Sequence, residues 1–230
     1  MRPEPAALAP GLIHHPGWLD AAAQGRLADE LREVLAAAPA YRPTMPRTGR
    51  PFSVRMTNAG PLGWVSDRTG YRYQPTHPET ALPWPAIPPL ALAAWAALAD
   101  CPAPPEACLV NLYEAGARMG LHQDRDEADL AAPVLSLSLG ATAVFRYGGP
   151  RRGDPTRSIR LASGDALVIG GASRLIHHGV DRILGPDPPP PDLLVPVGAD
   201  AARLDGLVAS GGRCNLTLRR VTPIPVSPHA

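Results

Sequence analysis

The chain has 230 residues, 45% hydrophobic and 19% charged, a globular composition of a length suited to one domain carrying an N-terminal extension. A formal net charge of +1 does not announce a nucleic-acid binder, and no apolar run reaches the ~18 residues needed to span a bilayer. Cys101, Cys108 and Cys214 are odd in number and lack a C-x-x-C pair, which argues against a disulfide framework or a zinc knuckle. With no apolar stretch after Met1 to act as a secretory signal, the expected location is the cytoplasm, and no membrane association is expected.

The first predicted element is a helix from Trp18 through Ala38, with Leu27, Leu31, Val34 and Leu35 at helical spacing, Asp20 as N-cap and Pro39 as stop. Residues 41–89 are rich in Pro, Gly, Thr and Arg, interleaved with Phe52, Trp64, Tyr71, Tyr73 and Trp84. This texture reads as an irregular cover of short strands and turns, a lid rather than a core. Pro88 and Pro89 then start a helix over Leu90–Ala99.

From residue 107 the pattern changes to alternation. Strands are expected at Cys108–Tyr113, Val134–Leu139, Ala143–Tyr147, Ser158–Leu161, Ala166–Ile169 and Cys214–Arg219, punctuated by glycine turns. The fold class is α+β and mainly β, a sandwich or barrel. The expected organisation is an N-terminal helical extension and lid over 1–104 and a β core over 105–230, forming one structural unit. A Pro-rich insertion at 185–212, with four consecutive prolines at 188–191, reads as a surface loop.

Charge is patterned along the chain. Six arginines against Asp67 lie between Arg42 and Tyr73, and five against Asp154 between Arg146 and Arg160. Between these segments, Cys101 to Pro133 is net acidic, with Glu106, Glu114, Asp124, Asp126, Glu127 and Asp129 against two arginines. An acidic centre suits a cation and basic rims suit a polyanion, although runs of charge are usually solvated faces.

The chemistry-bearing residues start with His122 and Asp124, two apart after a strand and a glycine turn. In extended chain both project to one side and can share a metal. His177 and His178 offer a further imidazole from across several strands. Two His and one carboxylate with open positions is the ligand set of non-haem Fe(II) oxygenases. Adjacent residues face opposite sides of a strand, so the residues alone do not choose between His177 and His178. On the last strand Arg213, Asn215, Thr217 and Arg219 share one face, which is costly inside a fold unless an anion satisfies the guanidinium groups. Asn111 and Tyr113, also alternate residues, add hydrogen-bonding groups suited to a dicarboxylate.

Asn111-Leu-Tyr-Glu-Ala-Gly116, Leu121-His-Gln-Asp-Arg-Asp126, Leu135-Ser-Leu-Ser-Leu-Gly140, Ser173-Arg174, His178-Gly179 and Arg213-Cys-Asn-Leu-Thr-Leu-Arg219 together resemble the bacterial AlkB proteins. Met56-Thr-Asn-Ala-Gly-Pro-Leu-Gly-Trp64 and Gly70-Tyr-Arg-Tyr-Gln-Pro75 are similar to that family's nucleotide-recognition lid, and the likeness runs from about Pro51 to Val221. The resemblance implies a double-stranded β-helix (jelly-roll) core and an Fe(II)- and 2-oxoglutarate-dependent dioxygenase that uses O₂. It implies His122, Asp124 and His178 as iron ligands, since the family's ligand directly precedes glycine. It implies Asn111, Tyr113, Arg213, Asn215 and Arg219 as the 2-oxoglutarate site, the two arginines on its two carboxylates. Trp64, Tyr71, Tyr73, Asp126 and Arg152 are implied on the substrate side. The implied reaction is oxidative demethylation of 1-methyladenine and 3-methylcytosine in DNA, preferably single-stranded, by a monomer. RNA as the main substrate, or the same chemistry on a protein or small molecule, are the alternatives.

Overall fold

The computed structural model describes residues 3–114, 116–184 and 211–224. Two antiparallel sheets face each other, and two helices cover the outer side of the larger one. The seven-stranded sheet has the order β1 (Ala6–Ala9), β2 (Leu12–His15), β11 (Ala166–Ile169), β8 (Val134–Gly140), β13 (Arg213–Arg219), β6 (Ala107–Tyr113), β3 (Arg55–Ala59). The four-stranded sheet runs β10 (Arg157–Leu161), β9 (Ala143–Tyr147), β12 (His178–Ile183), β7 (Met119–His122). A hairpin of β4 (Gly63–Asp67) and β5 (Gly70–Gln74) stands apart as a two-stranded sheet. This is the jelly-roll arrangement expected.

Helix α1 spans Ala21–Ala37, and Asp20 caps it by accepting from the Ala23 N–H at 2.8 Å. Helix α2 spans Pro89–Leu98, with proline in its first turn where the missing N–H costs nothing. Leu27, Leu31 and Val34 of α1 and Ala91, Ala94 and Trp95 of α2 pack on Cys214, Leu216 and Leu218 of β13. One face of β13 therefore belongs to the apolar core. The alternate residues are left to face the smaller sheet, and that gap holds the site.

Four strands depart from the sequence expectation. The β1–β2 hairpin adds to the edge of β11, His14 pairing with Leu167 in register. Its turn needs Gly11, whose φ is +80° and whose Cβ position would lie 2.1 Å from the Gly170 carbonyl oxygen. Strand β12 is broken by an irregularity between Val180 and Arg182, which hides its alternation. The segment 41–89 is not wholly a cover. Its strand β3 pairs with β6, and Val54, Met56, Thr57, Asn58 and Ala59 are buried. The composition misled because the flanking turns carry the polar residues while the five-residue strand is interior.

Strands from both sides of residue 104 share the large sheet. No described helix is long and apolar enough to cross a membrane. The proline-rich stretch from 185 to 210 lies outside the described residues.

Candidate active site

His122 ends β7 and His178 begins β12, and the two are direct partners in the antiparallel register. Residues opposite one another project to the same face. Their rings accordingly stand with centroids 4.6 Å apart. Asp124 follows β7 by two residues and completes the cluster. The ligand atoms of His122, Asp124 and His178 all lie within 4.8 Å of one another. His122 Nε2 is 3.6 Å from one carboxylate oxygen of Asp124, and His178 Nε2 is 3.8 Å from the other.

Each ring is oriented from behind. His122 Nδ1 lies 2.8 Å from the Gly120 carbonyl, and His178 Nδ1 lies 3.2 Å from that of Ile176. Nδ1–H donates to the carbonyl in both rings, which leaves the Nε2 lone pairs free on the Asp124 side. Burial pushes His178 down to about 4, the nearby His122 adding to the effect, so the ring is neutral and able to ligate at physiological pH. Burial opposes ionisation of Asp124, yet Arg219 with the two imidazoles outweighs it and holds the carboxyl below its usual range. His177 is not part of the cluster. Its Nδ1 sits 3.4 Å from the Gly149 carbonyl on the opposite side of the strand. Geometry thus separates the two adjacent histidines that sequence spacing leaves equivalent.

The cavity beside the cluster is lined on one wall by Arg213, Asn215, Thr217 and Arg219 of β13, with Asn111 and Tyr113 of β6 beside them. The pairing of β13 with β6, Asn215 opposite Asn111 and Arg213 opposite Tyr113, puts both sets on one surface. Arg213 is 1% exposed and has no carboxylate partner among the described residues. Its guanidinium donates to the carbonyls of Ala141 and Leu161 and to Ser138 Oγ, at 3.1, 3.0 and 2.6 Å. Burial lowers this guanidinium to about 10. A buried cation without a counter-ion is costly, so the geometry calls for an anion here.

Four buried polar atoms in the same wall have no hydrogen-bond partner: Asn111 Oδ1, Arg213 Nε, Arg219 Nε and Arg219 Nη1. Three orphan guanidinium donors on two arginines and an imidazole–carboxylate cluster fit an anionic chelating co-substrate beside a divalent metal. The residues present therefore fit Fe(II) and 2-oxoglutarate.

Arg219 is not simply free to meet an anion. It donates to Asp124 at 2.8 Å and lies 3.2 Å from Glu127 Oε1. Glu127, with its side chain 2% exposed, also accepts from Arg174 at 3.0 Å and from the Tyr73 hydroxyl. Arg174 in turn donates to the backbone carbonyls of Asp124 and Ala132. Sequence reasoning assigned no role to Glu127 or Arg174. The four-charge network Asp124–Arg219–Glu127–Arg174 has no local signature, because its members come together only when β13, the 124–127 segment and the turn before β12 meet. Gln123 was missed as well. It donates to the carbonyls of Pro150 and Leu175, tying the β9–β10 turn to the ligand loop.

On the lid side, Trp64 and Tyr71 are stacked, with centroids 5.5 Å apart and ring planes at 18°. Trp64 Nε1–H donates to Asp126 at 2.8 Å. Buried Asn58 fixes the Trp64 backbone by bonding both its N–H and its C=O, each at 3.0 Å. Tyr73 reaches the buried network through Glu127. Tyr71 is half exposed. Arg152 is exposed in the β9–β10 turn and has no hydrogen-bond or ion-pair partner among the described residues; the structure does not bring it against the cluster.

Comparison with known proteins places these features in context. The signature of the 2OG-Fe(II) oxygenase superfamily matches residues 11–219. The chain is 53% identical over 219 residues to an "Alpha-ketoglutarate-dependent dioxygenase AlkB homolog" of Caulobacter vibrioides, covering 94% of this chain and 90% of that protein. It is 40% identical over 119 residues to a "DNA N(6)-methyladenine demethylase ALKBH1D" of Arabidopsis thaliana, covering 50% of this chain and 24% of that protein. Among solved structures, that of OsALKBH1 superposes with a TM-score of 0.75 at 30% identity, covering 94% of this chain and all of that one.

Proposed function

Since the chain belongs to the AlkB family of Fe(II)- and 2-oxoglutarate-dependent dioxygenases, we propose that it removes N-methyl groups from nucleic-acid bases, with 1-methyladenine and 3-methylcytosine in single-stranded DNA as preferred substrates. The observation that carries this reading is the Trp64–Asp126 hydrogen bond. It sets an aromatic plane and a carboxylate side by side, two residues from the Asp124 ligand.

When bound, Fe(II) and 2-oxoglutarate supply the oxidation, consuming O₂ and yielding succinate and CO₂. His122, Asp124 and His178 hold the metal, and the carbonyls of Gly120 and Ile176 keep both imidazoles correctly turned. Arg213, Arg219, Asn111, Tyr113 and Asn215 take the co-substrate. The protein then has to present one methyl group and keep others away. Methylation at the Watson–Crick edge of adenine or cytosine leaves a cationic base, which Asp126 attracts and Trp64 or Tyr71 supports by stacking. Such a base pairs poorly, so extruding it costs less than extruding an intact one. Hydroxylation of the methyl gives a hemiaminal that collapses to formaldehyde and the restored base. The arginines of the lid and of the β9–β10 turn, Arg152 among them, suit phosphates outside the pocket.

The test is anaerobic loading with Fe(II), then O₂ and 2-oxoglutarate with methylated single strands. Succinate, formaldehyde and restored base are measured together. Coupled repair that is lost in His178→Ala and kept in His177→Ala is the expected result. Succinate without repair would move the substrate elsewhere, to a protein or small molecule. Faster turnover on RNA than on DNA would make RNA the main substrate.

A further inference from the structure

The outer face of the four-stranded sheet carries a charge pattern of which the reading above uses only the arginines of the β9–β10 turn. Strands β9, β10 and β12 with the β9–β10 turn contain six arginines, Arg146, Arg151, Arg152, Arg157, Arg160 and Arg182, against Asp154 and Asp181. The whole chain is only +1. Ala143, Phe145 and Tyr147 of β9 are buried inward, so Val144 and Arg146 project outward. Register then defines two rows across the sheet. Arg160 and Arg182 lie on either side of Val144, and Ser158 and Gly179 lie on either side of Arg146.

Arg160 and Arg182 are exposed and have no ion-pair partner among the described residues. They stand two strand spacings apart, roughly 9–10 Å, which is within a Debye length at ordinary salt, so they repel one another without gain to the fold. Arg146 meets Asp181 only at 3.5 Å, and its Nε–H is buried with no acceptor. The half-exposed Arg146 side chain lines a groove of about 490 Å³ between the lid segment and this sheet, together with Met45, Phe52, Arg118, Gly179 and Asp181. The groove floor is bare of side chain at Gly179, where a Cβ would lie 2.5 Å from the Met119 carbonyl oxygen. A cationic face with exposed, unpaired Arg160 and Arg182 that opens onto the lid through this groove fits a phosphodiester chain.

We propose that this face, centred on Arg146, Arg160 and Arg182, is a docking surface for the sugar–phosphate backbone of the strand whose modified base enters the site. The inference rests on the nucleic-acid reading above. It extends the contact from the lid across the whole width of the small sheet. Affinity therefore depends on strand length, while the chemistry at the metal does not.

The experiment compares wild type with the triple variant Arg146→Gln, Arg160→Gln, Arg182→Gln, none of which touches the metal cluster or the co-substrate wall. Binding of a long unmodified thymidine single strand is titrated across salt concentrations. The variant is expected to bind on the order of tenfold more weakly near 0.1 M salt, with a log–log salt slope shallower by about 2, at about 0.7 per lost phosphate contact. The corresponding triple lysine variant restores the slope, since phosphate attraction at this face needs charge rather than a planar fork. Repair of a methylated trinucleotide, which carries only two phosphates, loses less in kcat/KM than the long strand loses in affinity. Equal slopes in wild type and glutamine variant overturn the proposal, as does a lysine variant that behaves like the glutamine one. A slope difference without any formaldehyde from wild type would support the face and refute the demethylation reading, which separates the two.

Discussion

Arg213 offers the sharpest quantitative test of how the site is built. Its guanidinium is fully buried on three neutral acceptors, Ala141 O, Leu161 O and Ser138 Oγ. Replacing it with methionine removes an uncompensated buried charge, a gain of several kcal/mol, and orphans those acceptors at about 1–3 kcal/mol each. The two effects oppose, so Arg213→Met without co-substrate is expected to melt within about 2 kcal/mol of wild type. With 2-oxoglutarate the two proteins part. At a hundredfold excess over Kd the wild type gains about 2.7 kcal/mol by linkage. For a domain of this size that raises Tm by roughly 5–11 °C. The variant, lacking the cation that the acid seeks, gains essentially nothing. The assay is thermal melting with redox-silent Mn(II), with and without 2-oxoglutarate, for both proteins. A variant that keeps the full 2-oxoglutarate shift refutes the argument that Arg213 is buried in order to meet an anion.

Two further outcomes follow from charges buried elsewhere. Glu127→Ala leaves Arg174 and Arg219 without their shared counter-ion and is expected to cost about 3–5 kcal/mol, or roughly 6–20 °C in Tm; a loss below about 1 kcal/mol in a denaturant titration would show the network to be marginal. Asp165 joins the N-terminal hairpin to the fold by accepting from the His14 ring at 2.9 Å and from the Gly17 N–H at 2.8 Å. Burial works against its ionisation, but these donors and the Ala162 N–H outweigh it and depress the carboxyl. A depressed carboxyl contributes stability that is present above its unfolded value near 4 and is lost as pH falls through the folded value. Asp165→Asn should therefore be destabilised by about 1–2 kcal/mol at pH 5, with the gap to wild type closing below about pH 4. A gap that widens on acidification would contradict the sign.

Much of the architecture was legible because the strands alternate. Ala143–Tyr147 and Ala166–Ile169 are observed with the expected bounds, and the two faces of β13 separate as the period of two requires. The α1 cap and stop were equally readable, since Asp20 and Pro39 act locally. What escaped has a common cause. The β1–β2 hairpin consists of four-residue strands that are stable only on the edge of β11, and β12 hides its alternation behind an irregularity. Strand β3 was lost inside a polar, proline-rich stretch although its own residues are buried. In the site, His122 and Asp124 carry a spacing and the β13 face carries a period. Glu127 reads as one more acid in an acidic run. Its role arises from partners 47 and 92 residues away in the chain, distances over which spacing carries no information.

The placement of β13 has a consequence for how the molecule comes into being. It is the last described strand in chain order, yet it lies in the middle of the seven-stranded sheet, between β8 and β6. Before residues 213–219 leave the ribosome, β6 and β8 each present a long edge of unpaired backbone groups, and the helices lack the central strip of the sheet on which they rest. Sheet closure is therefore a late, long-range event, slow by its topology and exposed to edge-to-edge association while it waits. Chain termination just before Arg213 would do more than delete two arginines from a pocket. It would leave two half-sheets with nothing to join them, and its product should be found in aggregates rather than as a weakened enzyme.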